Sequence, residues 1–237
     1  MSEADLSVFA VKLDGEVAEG DPVADLIFHA CSQRGLTLHD DDVVVVTHKI
    51  VSKAEGRTAS LEKGNIEARD LMVRQDGATV MRRRNGVLIT RTRHGFVCAS
   101  AGIDNSNVQP GRVTLLPLDP DRSARRLRSR LNHLAGADVA VIICDTFGRA
   151  WRIGQTNVAI GVAGLLPTVN YRDTEDTFGT VLGVTNIAIA DELAGTAEMV
   201  MGKAEGVPVA VVRGANPIRG RGSIQELLRP PQDDLFL

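Results

Sequence analysis

Apolar and polar positions fall into short blocks whose periods separate strands from helices. Asp42 is followed by four valines, a β-branched run too short for a helix and apolar on both faces, which predicts a fully buried strand. Residues 139–144 and 207–212 repeat that pattern, while residues 7–11, 86–90, 96–100 and 157–162 predict shorter strands. Helices are predicted over 22–33, where Val23, Leu26, Ile27 and Ala30 share a face behind an Asp21 cap and Pro22, over 65–73, and over 186–201. A fourth, basic helix over 120–135 carries Ala124, Leu127, Leu131 and Leu134 on its apolar face and stops at Gly136. Strands and helices are mixed along the whole length, so the fold class expected is α+β, a mixed α/β arrangement. The stretches 101–111 and 117–120 are candidate boundaries, and the tail RPPQDDLFL breaks the last helix and is expected to pack as an extended arm.

Composition narrows the function classes. A chain of 237 residues with 43% hydrophobic and 24% charged content can bury its own core. Only 3% is aromatic, so a heterocyclic ligand has to be held mostly by polar groups and aliphatic side chains. A net charge of -3 gives no general attraction to nucleic acid or to an anionic membrane. The three cysteines are too far apart for a paired metal or redox motif and read as buried, reduced thiols. No basic start precedes an apolar core at the N-terminus and no run is long enough to span a bilayer, so the expected location is cytoplasmic.

Candidate chemistry gathers where buried strands end. The strand over 139–144 leads into Asp145 and Thr146, oxygen donors suited to Mg²⁺ or Mn²⁺, although an aspartate followed by a threonine also makes an ordinary cap or turn. The segment after residue 100 leads into Asp104, Asn105, Ser106 and Asn107, where Asp104 could share an ion with Asp145; alone, DNSN is a turn sequence. Beyond the four valines, THKIVSKAEGR spaces Lys49, Lys53 and Arg57 by four residues, as if on one helical face; such cations stabilise phosphoryl charge or line a solvated surface. His48 is the one histidine placed to meet a ligand. Arg149 and Arg152 flank Trp151, and arginine forks recognise carboxylate or phosphate. The basic stretches RRRNG, RTRH and RSARRLRSR carry no nucleic-acid-binding signature, and neither a Walker A loop nor a nucleophile elbow is present.

Taken in order, VVVVTHKIVSKAEGR, SAGIDNSNV, CDTFGRAWRIGQTNVAIGVAG and VMGKAEGVPVAVVRG resemble the coenzyme F-420-0:L-glutamate ligase family, the γ-glutamyl ligases of deazaflavin coenzyme biosynthesis. The likeness runs from about Phe9 to the terminal DDLF. It implies an enzyme that uses GTP and a divalent cation to join L-glutamate to the phospholactyl precursor coenzyme F-420-0 through an acyl phosphate, and that can add further γ-linked glutamates.

Residue by residue, the resemblance implies metal ligation by Asp104, Asp145 and Thr146, and nucleotide contacts from Asp14, Gly15, Glu16 and Val17, from His48, Lys49 and Lys53, from Asn107, and from Met201, Gly202, Lys203, Ala204, Glu205, Gly206 and Val207. Lys53, Arg149 and Arg152 are the catalytic candidates. It further implies Mg²⁺ or Mn²⁺ with room for K⁺, an intertwined homodimer, and no nucleic-acid or membrane partner. One ligase domain is expected over 1–237, divisible into two subdomains, without the nitroreductase-like C-terminal domain fused to some bacterial relatives. Two positions depart from the family pattern. Asp14 and Gly15 stand where archaeal members tend to carry Leu-Pro, and Lys203 lies near a metal-ligating glutamine. A protonated lysine cannot ligate a metal, so Lys203 is assigned to phosphate and Glu205 becomes the substitute ligand. The competing readings are an amide ligase with another acceptor, such as a pterin, and a non-enzymatic RNA-binding protein.

Overall fold

The computed structural model describes residues 5–234, and the last three residues of the expected C-terminal arm lie outside them. The central sheet contains β1 (Ser7–Val11), β2 (Val43–Thr47), β8 (Ala140–Arg149), β9 (Arg152–Ala163) and β12 (Val209–Arg213), in the order β1-β12-β2-β8-β9. Only β2 and β8 run parallel; the other pairs are antiparallel. Val43 to Val46 are all fully buried, so both faces of β2 are covered, as its unbroken apolar run requires. Cover comes from α1 (Val23–Gln33), α4 (Pro120–Ala135) and α5 (Ile189–Met201), with α1 packed on α4, α4 on β8 and β9, and α5 on β9, β12 and β1. The short helix α2 (His48–Ala54) follows β2 without a break.

Between α2 and α4 the chain builds a second, smaller core. It holds β3 (Thr58–Ser60), α3 (Ile66–Gln75), β4 (Thr79–Arg84), β5 (Val87–Arg91), β6 (Val97–Ala99) and β7 (Arg112–Thr114), with β4, β5 and β6 in one sheet and β3 paired to β7. Leu61, Val73, Leu88, Ile103 and Val113 fill it. A two-stranded ribbon, β10 (Val169–Asn170) and β11 (Asn186–Ile187), completes the architecture. The fold is α+β, and no helix among the described residues is long and apolar enough to cross a membrane.

Local chemistry explains most boundaries. α4 occupies the expected 120–135: Asp119 accepts from Arg122 N at its start, Pro120 begins the helix, and Gly136 ends it in the left-handed conformation at φ 65°. α3 starts behind Asn65, whose side chain accepts from Ala68 N. α1 differs from expectation. Pro22 precedes its first turn and Asp21 does not cap it, because the Asp21 carboxylate accepts instead from Ala18 N at 2.8 Å. The largest difference is in β8 and β9, which extend the two strands predicted at 139–144 and 157–162 into the glycine-rich polar stretch between them. β8 loses β2 as a neighbour after Cys144 and continues with β9 as a two-stranded ribbon to Arg149. Asp145 therefore lies inside a strand at the point where the sheet opens, rather than at a strand's end. All three cysteines are free and buried, as expected.

Candidate active site

Parallel β2 and β8 end their pairing side by side at Thr47 and Cys144, and the residues that follow them diverge. A cavity of about 480 Å³ opens there, the kind of crevice that forms at the carboxyl ends of parallel strands. It is lined by Gly15, Glu16 and Val17 from the loop after β1, Thr47, Lys49 and Lys53 from the β2–α2 junction, and Asn107 from the smaller unit. Asp145, Thr146, Met201, Gly202, Lys203, Gly206 and Val207 also line it. Residues distant in sequence and singled out from it thus meet in one space. Asp14, Ala204 and Glu205 belong to the same loops but do not line the cavity. Glu205 folds back to accept from Ala204 N at 2.8 Å.

His48, Asp104 and Asp145 each offer one ligand atom, all within 4.8 Å of one another. His48 is fully buried; Nδ1 lies 3.3 Å from Ser52 Oγ and Nε2 lies 3.3 Å from Asp145 Oδ1. Nε2 makes no hydrogen bond of normal geometry there. In the tautomer that donates from Nδ1 to Ser52 Oγ, Nε2 turns a bare lone pair towards a carboxylate, an arrangement that a cation relieves. The two carboxylates suit Mn²⁺ or Mg²⁺ and the imidazole favours Mn²⁺ of the two, so the residues present fit a divalent ion. His48, expected among nucleotide contacts, sits with the carboxylates, and the Thr146 hydroxyl donates to Asn157 Oδ1 at 2.6 Å and accepts from Lys203 Nζ.

The electrostatics agree. Burial first, and the Asp145 charge second, push the Cys98 and Cys144 thiols up to about 12. For Asp104, burial acts to raise the carboxyl pKa, but Lys49, whose Nζ is 2.9 Å away, and Ser106 outweigh it and hold the carboxyl below its ordinary value. Lys53 Nζ bonds Glu16 Oε1 at 2.8 Å and the Asn107 carbonyl at 2.9 Å, tying α2 to two of the loops that line the cavity.

Several candidates lie elsewhere. Arg149 and Arg152 stand at the tip of the β8–β9 ribbon, exposed and outside the cavity lining, with Arg149 donating to the Ile153 carbonyl at 3.0 Å. That tip and the β10–β11 loop expose Trp151, Ile153 and Phe178, apolar surface of the kind that assemblies cover. Arg57 lies beyond the end of α2 and turns away to Asp76 and the Leu116 carbonyl. Conversely, the cavity contains Asn157 and Glu198, which sequence reasoning missed. Asn157 looked like an ordinary strand start and Glu198 like one charge on an apolar helix; only the pairing of β8 with β9 and the packing of α5 bring them together.

Comparison with known proteins gives the same direction. Residues 13–214 match the family model described as F420-0:Gamma-glutamyl ligase. Among curated proteins, the coenzyme F420:L-glutamate ligase of Methanothermobacter thermautotrophicus is 43% identical over 93% of this chain and 94% of its own length. Those of Methanopyrus kandleri and Archaeoglobus fulgidus are 39% and 38% identical, each over 98% of this chain and 97% and 96% of their own lengths. With the family model covering most of the chain and relatives matched almost end to end, the chain belongs to the F420-0:gamma-glutamyl ligase family.

Proposed function

We propose that the protein joins L-glutamate to the carboxylate of the phospholactyl deazaflavin precursor coenzyme F-420-0, using GTP to activate that carboxylate. The observation that supports this reading is that Asp145, Lys49, Lys53 and Lys203 line one cavity and that Asp145 clusters there with His48 and Asp104 just behind the lining, in a chain of this family. The nucleotide is held by the 14–17 loop, the start of α2, Asn107 and the 201–207 loop, with Leu13, Val17, Ile50 and Val207 offering aliphatic surface to the base in place of aromatic rings.

His48, Asp104 and Asp145 would hold the divalent ion, which when bound supplies positive charge to the transferring phosphoryl oxygens. Lys49 and Lys53 reduce the repulsion between an anionic acceptor and an anionic donor. A precursor carboxylate oxygen attacks the γ-phosphorus, GDP leaves, and an acyl phosphate forms. The glutamate amine then attacks the acyl carbon, loses a proton, and expels phosphate. Each step benefits from the half-enclosed cavity, since an acyl phosphate exposed to water hydrolyses.

The test is GDP release by the purified protein with GTP and Mn²⁺ or Mg²⁺. Release that requires both the precursor and L-glutamate, with a glutamylated product by mass, is the expected result. Release supported by a different carboxylate in place of the precursor would reassign the acceptor, and no release with any carboxylate would remove the ligase reading.

A further inference from the structure

We propose that Lys203 is a tethered second cation of this site: its ammonium occupies a place built from three oxygen donors, beside the divalent-ion cluster, that a free cation would otherwise take. The lysine lies on the 201–207 loop, and its Nζ is held by Thr146 Oγ1, by Glu198 Oε1 at 3.0 Å and by Asn157 Oδ1 at 3.4 Å. One carboxylate and two neutral oxygens form a hard donor set.

The cradle is fixed by a network that leaves its oxygens little choice of direction. Asn157 is 3% exposed, and its Nδ2 donates to Glu198 Oε2 at 2.8 Å and to Cys144 Sγ at 3.6 Å. A carboxylate can only accept, so the amide must present Nδ2 to Glu198 and Oδ1 to the other side. The Thr146 hydroxyl gives its proton to that same Oδ1 at 2.6 Å, which leaves its lone pairs for Lys203. All three donors thus point oxygen at one spot, and the chain's own ammonium fills it.

This spot adjoins the first cluster. Thr146 follows Asp145, and its backbone N donates to Asp145 Oδ1 at 2.7 Å, so the two cation places share one dipeptide. Paired positive charges close together stabilise both ends of a phosphoryl transfer. Here one would be an exchangeable ion and the other a covalently tethered ammonium, present at any metal concentration. Lys49 differs in kind. It engages Asp104 Oδ2 and Ser106 Oγ and leaves Asp145 and His48 free for an ion. Asn157 and Glu198 are positioning residues in this scheme, acting through Lys203.

The experiment counts Mn²⁺ bound per chain in nucleotide-free protein, by electron paramagnetic resonance of the unbound ion, for wild type, Lys203→Met and Lys203→Arg. Lys203→Met removes the ammonium without adding an oxygen donor and is expected to bind one more ion than wild type; Lys203→Arg keeps a cation and is expected to gain none. An unchanged count in Lys203→Met, with its melting temperature intact, overturns the proposal, as does a gain in Lys203→Arg. The consequence for catalysis rests on the ligase reading, but the count does not. If wild type binds no ion and Lys203→Met binds one, the His48, Asp104 and Asp145 assignment fails while the lysine inference stands. If wild type and Lys203→Met each bind one ion, the lysine inference fails while the His48, Asp104 and Asp145 assignment stands.

Discussion

Asp145→Asn is expected to lower kcat/KM by about three orders of magnitude at limiting divalent metal, a loss of roughly 4 kcal/mol of transition-state stabilisation. Asparagine keeps the size of the side chain and an oxygen for the Thr146 N–H that now donates to Asp145 Oδ1 at 2.7 Å. What disappears is the anionic donor shared with His48 and Asp104. Stability should move the other way or not at all. Asp145 and Asp104 bring two carboxylates within 4.8 Å of each other, so in metal-free protein removing one of the two charges relieves their repulsion. The check is a pair of measurements: steady-state kinetics against metal concentration, and melting temperature with and without Mn²⁺. The variant should melt in chelator at or above the wild-type temperature and lose the rise that the metal gives wild type. Wild-type turnover at limiting metal would remove Asp145 from the metal site.

Asp42→Ala should have the opposite profile, with the fold weakened and the chemistry untouched. Asp42 is 1% exposed and ends the loop before β2. It accepts both Nε and Nη2 of Arg213 at 2.8 and 2.7 Å, and His39 N at 2.8 Å. One carboxylate thus ties the start of β2 to the end of β12, while Arg213 also lies over the Phe9 ring at 5.4 Å. Truncating Asp42 leaves a half-buried guanidinium without its counter-charge, which costs about 3 kcal/mol, the lower end for a broken buried pair because Arg213 remains partly solvated. That lowers the melting temperature by roughly 6–12 °C for a chain of this size. Replacing Arg213 by Met in the same chain should recover part of the loss, since the orphaned charge goes too. The pair lies at the end of β2 opposite the cavity, so kcat/KM well below the melting temperature should match wild type. A change in melting temperature under about 2 °C would mean that the ion pair contributes little.

These two aspartates also mark what could be read from the residues. Asp145 was legible because a buried strand that turns acidic is conspicuous in an apolar run, and the same contrast exposed Lys49 and Lys53 after the four valines. α4 was legible to its end residues because its caps, Asp119 with Pro120 and Gly136, are local signals. The β8–β9 ribbon was not. Its strands are rich in glycine, arginine and threonine, and they are held by pairing with each other rather than by a buried apolar face, so local pattern gives no sign of them. β3 pairs with β7 across a long stretch of chain, and such short strands exist only through that contact. Asn157 and Glu198 were invisible for the same reason, since their chemistry depends on which distant residues they face. His48 was visible as a candidate ligand-binding residue, but its place beside Asp104 and Asp145 required the tertiary structure.

The central claim is that GTP activates the acceptor's carboxylate before glutamate attacks it. The most direct measurement follows oxygen-18 from a precursor labelled in that carboxylate through a turnover with GTP and L-glutamate. An acyl phosphate transfers one labelled oxygen into each phosphate released, because the oxygen that attacked phosphorus leaves with it. Phosphate carrying that label at one atom per glutamyl bond formed is the predicted result. Glutamylated product accompanied by unlabelled phosphate would contradict it.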